Sequence, residues 1–386
     1  MTQPAPSSTV APHAAEPPGF GVYLHVPFCA KRCDYCAFAT FTDRHHLQAR
    51  YLDAMATDID RRVAAGMPAA TSMFVGGGTP SMVDPAALCR VLARIPLAPG
   101  AEVTVECNPD DVTADLLAAY VAGGVTRVSL GVQSTVPHVL ASLGRSHDPA
   151  SVSRAVSLVR RSGLPTFNLD VIYGAAGESL DDWRRTLADI AALEPPHVSA
   201  YALTVEGGTP LADQPDRHPD DDDQADKYLE IGATLGARGL ENYEISNWAL
   251  PGHECRHNLL YWRQGDYDGF GCAAHSHLAG RRWWNVRTPD RYVELVEAGQ
   301  SPESSAEVLD DETKALERLQ LAIRTRDGVP SEALPPAARD GLEALIVERD
   351  GRVTLTELGR LMANAVSLRL VVPSTEHPAG SAVPLA

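Results

Sequence analysis

Cys29, Cys33 and Cys36 fall within eight residues, in a C-x3-C-x2-C arrangement. A disulfide would join two of these cysteines and strand the third. A structural zinc site would need a fourth ligand, His25 or a more distant residue, to close its tetrahedron. Three soft thiolates on one short loop instead suit a cubane iron–sulfur cluster in which one iron lacks a protein ligand and can hold a co-substrate. Of the other cysteines, Cys89 reads as core packing and Cys107 as turned away from Glu106 by strand alternation, while Cys272 belongs to a glycine-rich loop.

Such a loop needs a rigid support. Short β-rich runs alternate with helical patterns from residue 20 to about 205, which is the signature of βαβ units around a parallel sheet. Strands are expected at Gly21 to Val26, Ser72 to Val75, Glu102 to Cys107, Arg127 to Val132, Thr166 to Ile172 and Val198 to Leu203. Helices are expected at roughly 44–65, 85–94, 113–122, 150–162 and 180–192. Asp84 before Pro85 suits an N-cap, and Gly123-Gly124 suits a helix end. Six such units point to an α/β fold, a partial (β/α)6 barrel over residues 20–250, whose chemistry sits at the C-terminal ends of the strands. The acidic stretch Asp213 to Asp226 reads as a solvated loop leading into a helix at about 224–239. Residues 251–305 form a barrel-closing segment. Residues 306–372 read as a smaller α+β domain, helical with a winged-helix-like shape. Tails are expected at 1–19, disordered, and at 373–386.

The composition narrows the class. The 386 residues carry 33 Lys and Arg against 50 Asp and Glu, a net charge of −17, which disfavours a general nucleic-acid binder because phosphate neutralisation needs a basic field. Seven cysteines are an odd and sparse set, unlike a secreted disulfide scaffold. With no signal peptide and no apolar run of about 18 residues, a cytoplasmic location is expected.

Further motifs follow the cysteine loop in order. They are Tyr23-Leu-His-Val-Pro-Phe-Cys29, Phe74-Val-Gly-Gly-Gly-Thr-Pro-Ser81, Val105-Glu-Cys-Asn-Pro109, Ser129-Leu-Gly-Val-Gln133, Arg145 and Phe167-Asn-Leu-Asp-Val-Ile-Tyr-Gly174. With Tyr35 before the last cysteine, the chain resembles the radical S-adenosylmethionine (radical SAM) superfamily, and within it the oxygen-independent coproporphyrinogen III oxidase-like proteins. The resemblance implies a [4Fe-4S] cluster on Cys29, Cys33 and Cys36, with SAM on the open iron. It also implies SAM contacts from Tyr23, Tyr35, Gly77, Gly78, Thr79, Glu106, Gln133, Arg145 and Asp170. Glu106 and Asp170 suit an ammonium or ribose hydroxyls, and Arg145 suits a carboxylate. Glycines after a strand let backbone approach a ligand, which suits Gly76, Gly77 and Gly78.

Two departures separate this chain from the dehydrogenase branch of that group. Phe38 stands where that branch carries a fourth cysteine, and the barrel starts after only about 20 residues. Both features are similar to the HemW-type haem chaperones, as is His257-Asn-Leu-Leu-Tyr-Trp262, which fits their H-N-x-x-Y-W pattern. The resemblance implies haem as cargo held near His257, Tyr261 and Trp262, with Cys255 as a rival axial ligand. It implies haem-acceptor proteins, some membrane-associated, and an electron donor as partners. A homodimer burying an exposed porphyrin edge is compatible with it. Coproporphyrinogen dehydrogenase activity is not expected. The alternatives are that dehydrogenase or another radical oxidoreductase, and a zinc-stabilised binding protein on the same fold.

Overall fold

Alternating apolar and polar residues along each strand give the sheet one face for helices and one for chemistry. The computed structural model describes residues 19–145 and 148–373, so both expected tails lie outside it apart from Gly19 and Pro373. The strands are β1 (Phe20–Val26), β2 (Ala70–Gly77), β3 (Leu97–Cys107), β4 (Arg127–Gln133), β5 (Thr166–Tyr173), β6 (His197–Ala202), β7 (Glu241–Glu244), β8 (Asn247–Ala249), β9 (Asp266–Phe270), β10 (His275–Leu278), β11 (Arg281–Asn285) and β12 (Glu303–Val308). All twelve join one sheet in the order β12-β11-β10-β9-β1-β2-β3-β4-β5-β6-β8-β7. The six expected strands form its parallel centre, as neighbours in chain order. The sheet then extends at both ends. β9 adds parallel to β1, β10 to β12 continue as antiparallel neighbours, and β8 and β7 add antiparallel beyond β6.

The helices that follow in chain order are α1 (Gln48–Ala64), α2 (Pro85–Leu92), α3 (Ala114–Ala122), α4 (Pro137–Ser142), α5 (Pro149–Ser162), α6 (Leu180–Ala192) and α7 (Asp221–Gly236), of which α4 belongs to a separate small core and the others lie on the outer face. They cover Val22, Leu24, Met73, Val75, Val103 and Val105, all buried in one continuous core. Burial of this kind contributes about 25 cal/mol per Å² and carries most of the stability. Asp84 caps α2 by accepting the Ala87 N–H at 2.6 Å, with Pro85 at the first helical position. At the end of α3, Gly123 has ordinary helical φ and Gly124 is the left-handed residue. Gly123 is glycine for another reason: a Cβ there would lie 2.4 Å from the Cys89 sulfur, so α2 and α3 meet over that thiol.

The acidic stretch differs from the expected loop. α7 starts at Asp221, and Asp220 caps it by accepting the Asp223 N–H at 2.9 Å. Asp221, Asp222 and Asp223 therefore occupy the first helical turn, where unpaired N–H groups and the helix dipole favour negative charge. Asp223 also pairs with Lys227 at 2.6 Å. That ammonium is fully buried, donating to the Glu178 carbonyl at 2.7 Å and lying 3.4 Å from the Glu178 carboxylate.

The chain continues through α8 (Arg256–Trp262), α9 (Pro289–Glu297) and α10 (Asp311–Ala322) into β13 (Val329–Pro330), β14 (Ile346–Arg349), β15 (Arg352–Leu355), α11 (Glu357–Leu361) and α12 (Ala363–Ser367). The last three strands form a separate sheet, β13-β15-β14, over its own core of Ile323, Val329, Leu334, Val353 and Val366. This is the expected small α+β unit. α10 reaches both ends of the large sheet, directly on one side and through the turn after it on the other. It meets β11 through Arg282–Glu317 at 3.1 Å, and the turn after it meets β7 where Arg326 N–H donates to the Tyr243 carbonyl at 2.9 Å. Among the described residues, no helix is long and apolar enough to cross a membrane.

Candidate cluster and cofactor site

Because β1 to β6 are parallel, their C-terminal ends share one mouth of the barrel, and the cysteine loop leaves β1 there. The loop is clamped at its base, where Cys29 N–H donates to the Phe41 carbonyl at 3.1 Å and Phe41 N–H donates to that of Pro27 at 2.7 Å. Phe28 is fully buried, edge-on to Tyr51 at 5.4 Å. Tyr35 packs beside a small core that includes Val139, Leu143, Ile172 and Leu203, and Asp34 pairs with Arg217 at 3.1 Å. All three cysteines are half-buried and free.

Their environment fits a cluster. Burial pushes the Cys29 thiol up to about 11 despite a hydrogen bond from Thr79 at 3.6 Å, and burial raises Cys36 too. Neighbouring thiols raise both further. Metal binding must therefore displace protons from them. Arg145 lies 3.9 Å from the Cys33 sulfur and donates to the Gly131 carbonyl at 3.0 Å. Its Nε and the Thr40 hydroxyl are buried without partners, two polar atoms that a bound group would satisfy. Among the described residues, no three His, Cys, Asp or Glu side chains converge to hold a single metal ion. His25 is closed as a fourth zinc ligand. One ring nitrogen bonds Tyr23 Oη at 3.0 Å, and Nε2 donates to the Ala39 carbonyl at 2.9 Å, which leaves Nδ1 as the acceptor from Tyr23.

Glu106 and Asp170 project inward from β3 and β5. Burial, then the nearby Asp170, pushes the Glu106 carboxyl up to about 8, opposed by the Gly77 N–H that it accepts at 3.2 Å. Asp170 is also raised by burial, although the Ser129 hydroxyl at 2.8 Å and the Asn168 amide at 2.7 Å support its ionised form. Two buried carboxyls at one barrel mouth present a ready partner for a cation. Gln133 ends β4 at a register shift with φ +64°, a left-handed conformation that few non-glycine residues adopt.

The glycines are also tightly packed against protein atoms. A Cβ on Gly76 would meet the Glu106 carboxylate at 2.8 Å, on Gly77 the His25 ring at 2.4 Å, and on Gly78 the Val26 and Phe28 carbonyls at 2.7 Å. Protein atoms already fill the spaces that these residues leave. The Gly78 and Thr79 N–H groups are engaged too, with the carbonyls of Val26 and Phe28, both at 2.8 Å. The run thus positions Glu106, His25 and the cysteine loop, and the Thr79 hydroxyl serves Cys29.

The H-N-x-x-Y-W motif lies at the opposite end of the barrel. α8 closes the floor, where the Glu102 carboxylate accepts the Arg256 and His257 N–H groups at 3.2 Å each. His257 is buried, with Ser72 Oγ at 3.0 Å from one ring nitrogen, Tyr261 Oη at 2.8 Å from the other and Phe74 stacked at 5.6 Å. Burial pushes it down to about 3, so the ring is neutral, but both nitrogens are occupied. The neutral form is the one expected of an axial ligand, and its two nitrogens are engaged by the Ser72 and Tyr261 hydroxyls. Cys255 is equally enclosed, 3.5 Å from Glu102, and Trp262 is half-buried. Sequence reasoning missed Glu102 and Ser72 because their partners lie far along the chain.

Comparison with known proteins places these features in context. Residues 23–190 match the model of the Radical SAM superfamily. The heme chaperone HemW of Mycobacterium tuberculosis is 40% identical over 374 residues, 92% of this chain and 95% of that protein. Its counterpart in Escherichia coli K12 is 35% identical over 90% of this chain and 97% of its own length. Among solved structures, the Escherichia coli coproporphyrinogen III oxidase HemN, a radical SAM enzyme, superposes with a TM-score of 0.79. It covers 91% of this chain and 89% of that one at 20% identity, and so supports the fold.

Proposed function

Since this chain belongs to the radical SAM superfamily and, within it, to the haem chaperones, we propose that it binds haem as cargo and delivers it to acceptor proteins. In this reading Cys29, Cys33 and Cys36 hold a [4Fe-4S] cluster and SAM occupies its open iron. When bound, these groups supply one-electron chemistry from a low-potential centre. Glu106 and Asp170 receive the SAM ammonium or ribose hydroxyls, Arg145 its carboxylate, and Tyr35 walls the cluster loop. The observation that carries the reading is the pairing of three free thiols on a clamped loop with a buried, partly unsatisfied Arg145 and two raised carboxyls. Phe38, 64% exposed beside that loop, favours the chaperone over the dehydrogenase branch, which carries a cysteine there. An external electron donor and haem-acceptor proteins complete the scheme.

The test uses one anaerobic sample reconstituted with iron, sulfide and SAM, titrated with haem and then assayed with coproporphyrinogen III. Stoichiometric haem binding with no protoporphyrinogen is expected. Protoporphyrinogen formation without haem retention would sink the reading.

Glu106 offers a second check. Its carboxyl titrates near 4.5 when free and about 8 in the fold, so the folded chain holds the proton more tightly than the unfolded chain. Stability contributed by this group therefore falls as pH rises from about 4.5 to about 8. Glu106→Gln should raise the melting temperature of ligand-free protein at about pH 8.5, with no gain at about pH 4, and weaken SAM binding at least about tenfold. A variant less stable than wild type at the higher pH would contradict the assignment of a strained carboxyl.

A further inference from the structure

The solvent-facing side of the cysteine loop differs in charge from the chain as a whole. Against a net charge of −17, Lys31 and Arg32 stand side by side between Cys29 and Cys33, both exposed. The chain has three lysines. Lys227 is fully buried and Lys314 pairs with Asp311 at 2.6 Å, which leaves Lys31 without an ion pair among the described residues. Arg32 has none among them either, and its Nη2 donates to the Cys36 carbonyl at 3.2 Å, so the guanidinium is held over the loop. The carboxylates of the same segment are already matched, Asp34 by Arg217 and Asp43 by Arg44. Two positive charges are therefore left over at this place.

An apolar side chain stands beside them. A single exposed aromatic is ordinary on a protein surface, but Phe38, 64% exposed, is tied to the site. Burial raises the Cys36 thiol, and the Phe38 N–H and the Arg32 charge both act against that rise, so both residues lie against this sulfur. Ala30 and Ala37 are small and exposed, and let another surface come close to the loop. An aromatic anchor with charges around it has the anatomy of a protein docking site.

Charge and position together select the partner. An acidic protein is repelled by the chain as a whole and attracted at this face, which both steers and orients it. Nucleic acid or anionic lipid binds through a broad basic field, and two cations fall short of one. The three thiols beneath are half-buried, so this loop is the layer between them and water, where a protein that exchanges electrons with the cluster must approach.

We propose that the face formed by Lys31, Arg32 and Phe38 is the docking surface for a small acidic one-electron carrier protein. This inference rests on the cluster reading given above. In the transfer the reduced carrier loses one electron and the cluster gains it, with no covalent bond formed or broken.

The test uses the full, cluster-loaded chain under anaerobic conditions with two acidic probes, a flavodoxin and a plant-type [2Fe-2S] ferredoxin. Binding is titrated with the oxidised carriers, and cluster reduction is then timed with the reduced carriers and with dithionite. The double variant Lys31→Glu, Arg32→Glu should weaken binding of at least one carrier about tenfold or more and slow reduction by that carrier in proportion. Its iron and sulfide content and its reduction by dithionite should match wild type. Raising the salt from about 50 to about 300 mM should close most of the gap between the two proteins. Phe38→Ser should weaken binding without changing its salt dependence. The control, Arg90→Glu with Arg185→Glu, makes the same change in net charge at exposed positions on α2 and α6, and should bind as wild type does. Wild-type affinity in the Lys31, Arg32 double variant, an equal loss in the control, or no binding of either carrier to wild type would overturn the docking surface. A chain that takes up no cluster would instead overturn the cluster reading itself.

Discussion

Replacing Cys33 with serine should reduce the iron bound after anaerobic reconstitution from about four per chain to less than about one tenth of that, with acid-labile sulfide falling in parallel. Two remaining thiolates cannot hold three corners of a cubane, and serine is a poor, hard ligand for iron. The fold should survive. Cys33 is half-buried on a loop anchored by the Phe41, Pro27 and Leu211 backbone contacts, and its side chain lies 3.9 Å from Arg145. Thermal melting of the cluster-free chain should therefore match that of cluster-free wild type. Cys89→Ser is the control, since that thiol packs between α2 and α3, away from the cysteine loop. Full iron and sulfide in Cys33→Ser, or about one zinc and no iron in wild type, would refute the cluster assignment.

The largest effect on stability is expected at Lys227. Lys227 and the carboxylate of Glu178 are both fully buried, and Glu178 Oε2 also accepts the Gly174 N–H at 2.6 Å, holding the turn after β5. Burial raises the Glu178 carboxyl even with the ammonium beside it. Lys227→Met would leave that carboxylate without its cation, a loss of about 3–5 kcal/mol for a broken buried pair. Glu178→Gln in the same chain should recover a large part of the loss, because the amide needs no counter-charge. Chemical denaturation of the two single variants and the double variant measures the coupling. Simple additivity of the single effects would show that the pair does not act as a unit. The Lys227→Met variant should also bind SAM more weakly, because the turn continues the strand that carries Asp170.

What could be read from sequence and what could not divide along physical lines. The cysteine triplet, the order of motifs and the six central strands are local patterns, visible in spacing and alternation. The additional strands β9 to β12 are short and interrupted, so their membership of the sheet depends on pairing across the fold. The floor depends on Glu102 meeting residues 154 and 155 positions away and on Ser72 meeting His257 across 185, which no local pattern displays. Gly76 to Gly78 were recognisable as tight backbone, but only the fold shows that His25, Glu106 and two carbonyls fill the space. The acidic run misled for a different reason. Repulsion between like charges is weaker than the attraction of a helix N-terminus once Asp220 has fixed where α7 begins.

The large sheet runs from β12 to β7 without those strands pairing to each other. A barrel sealed by a hydrogen-bonded seam resists dilation, because widening it must break a ladder along its whole length. In this chain the seam is replaced by α10 and the turn after it, tied to the two edges by a handful of polar contacts. The sheet is therefore a clasp with a single catch. Widening it at that point leaves every strand pairing intact, and the stiffness of the closure is set in part by surface ion pairs, which salt weakens.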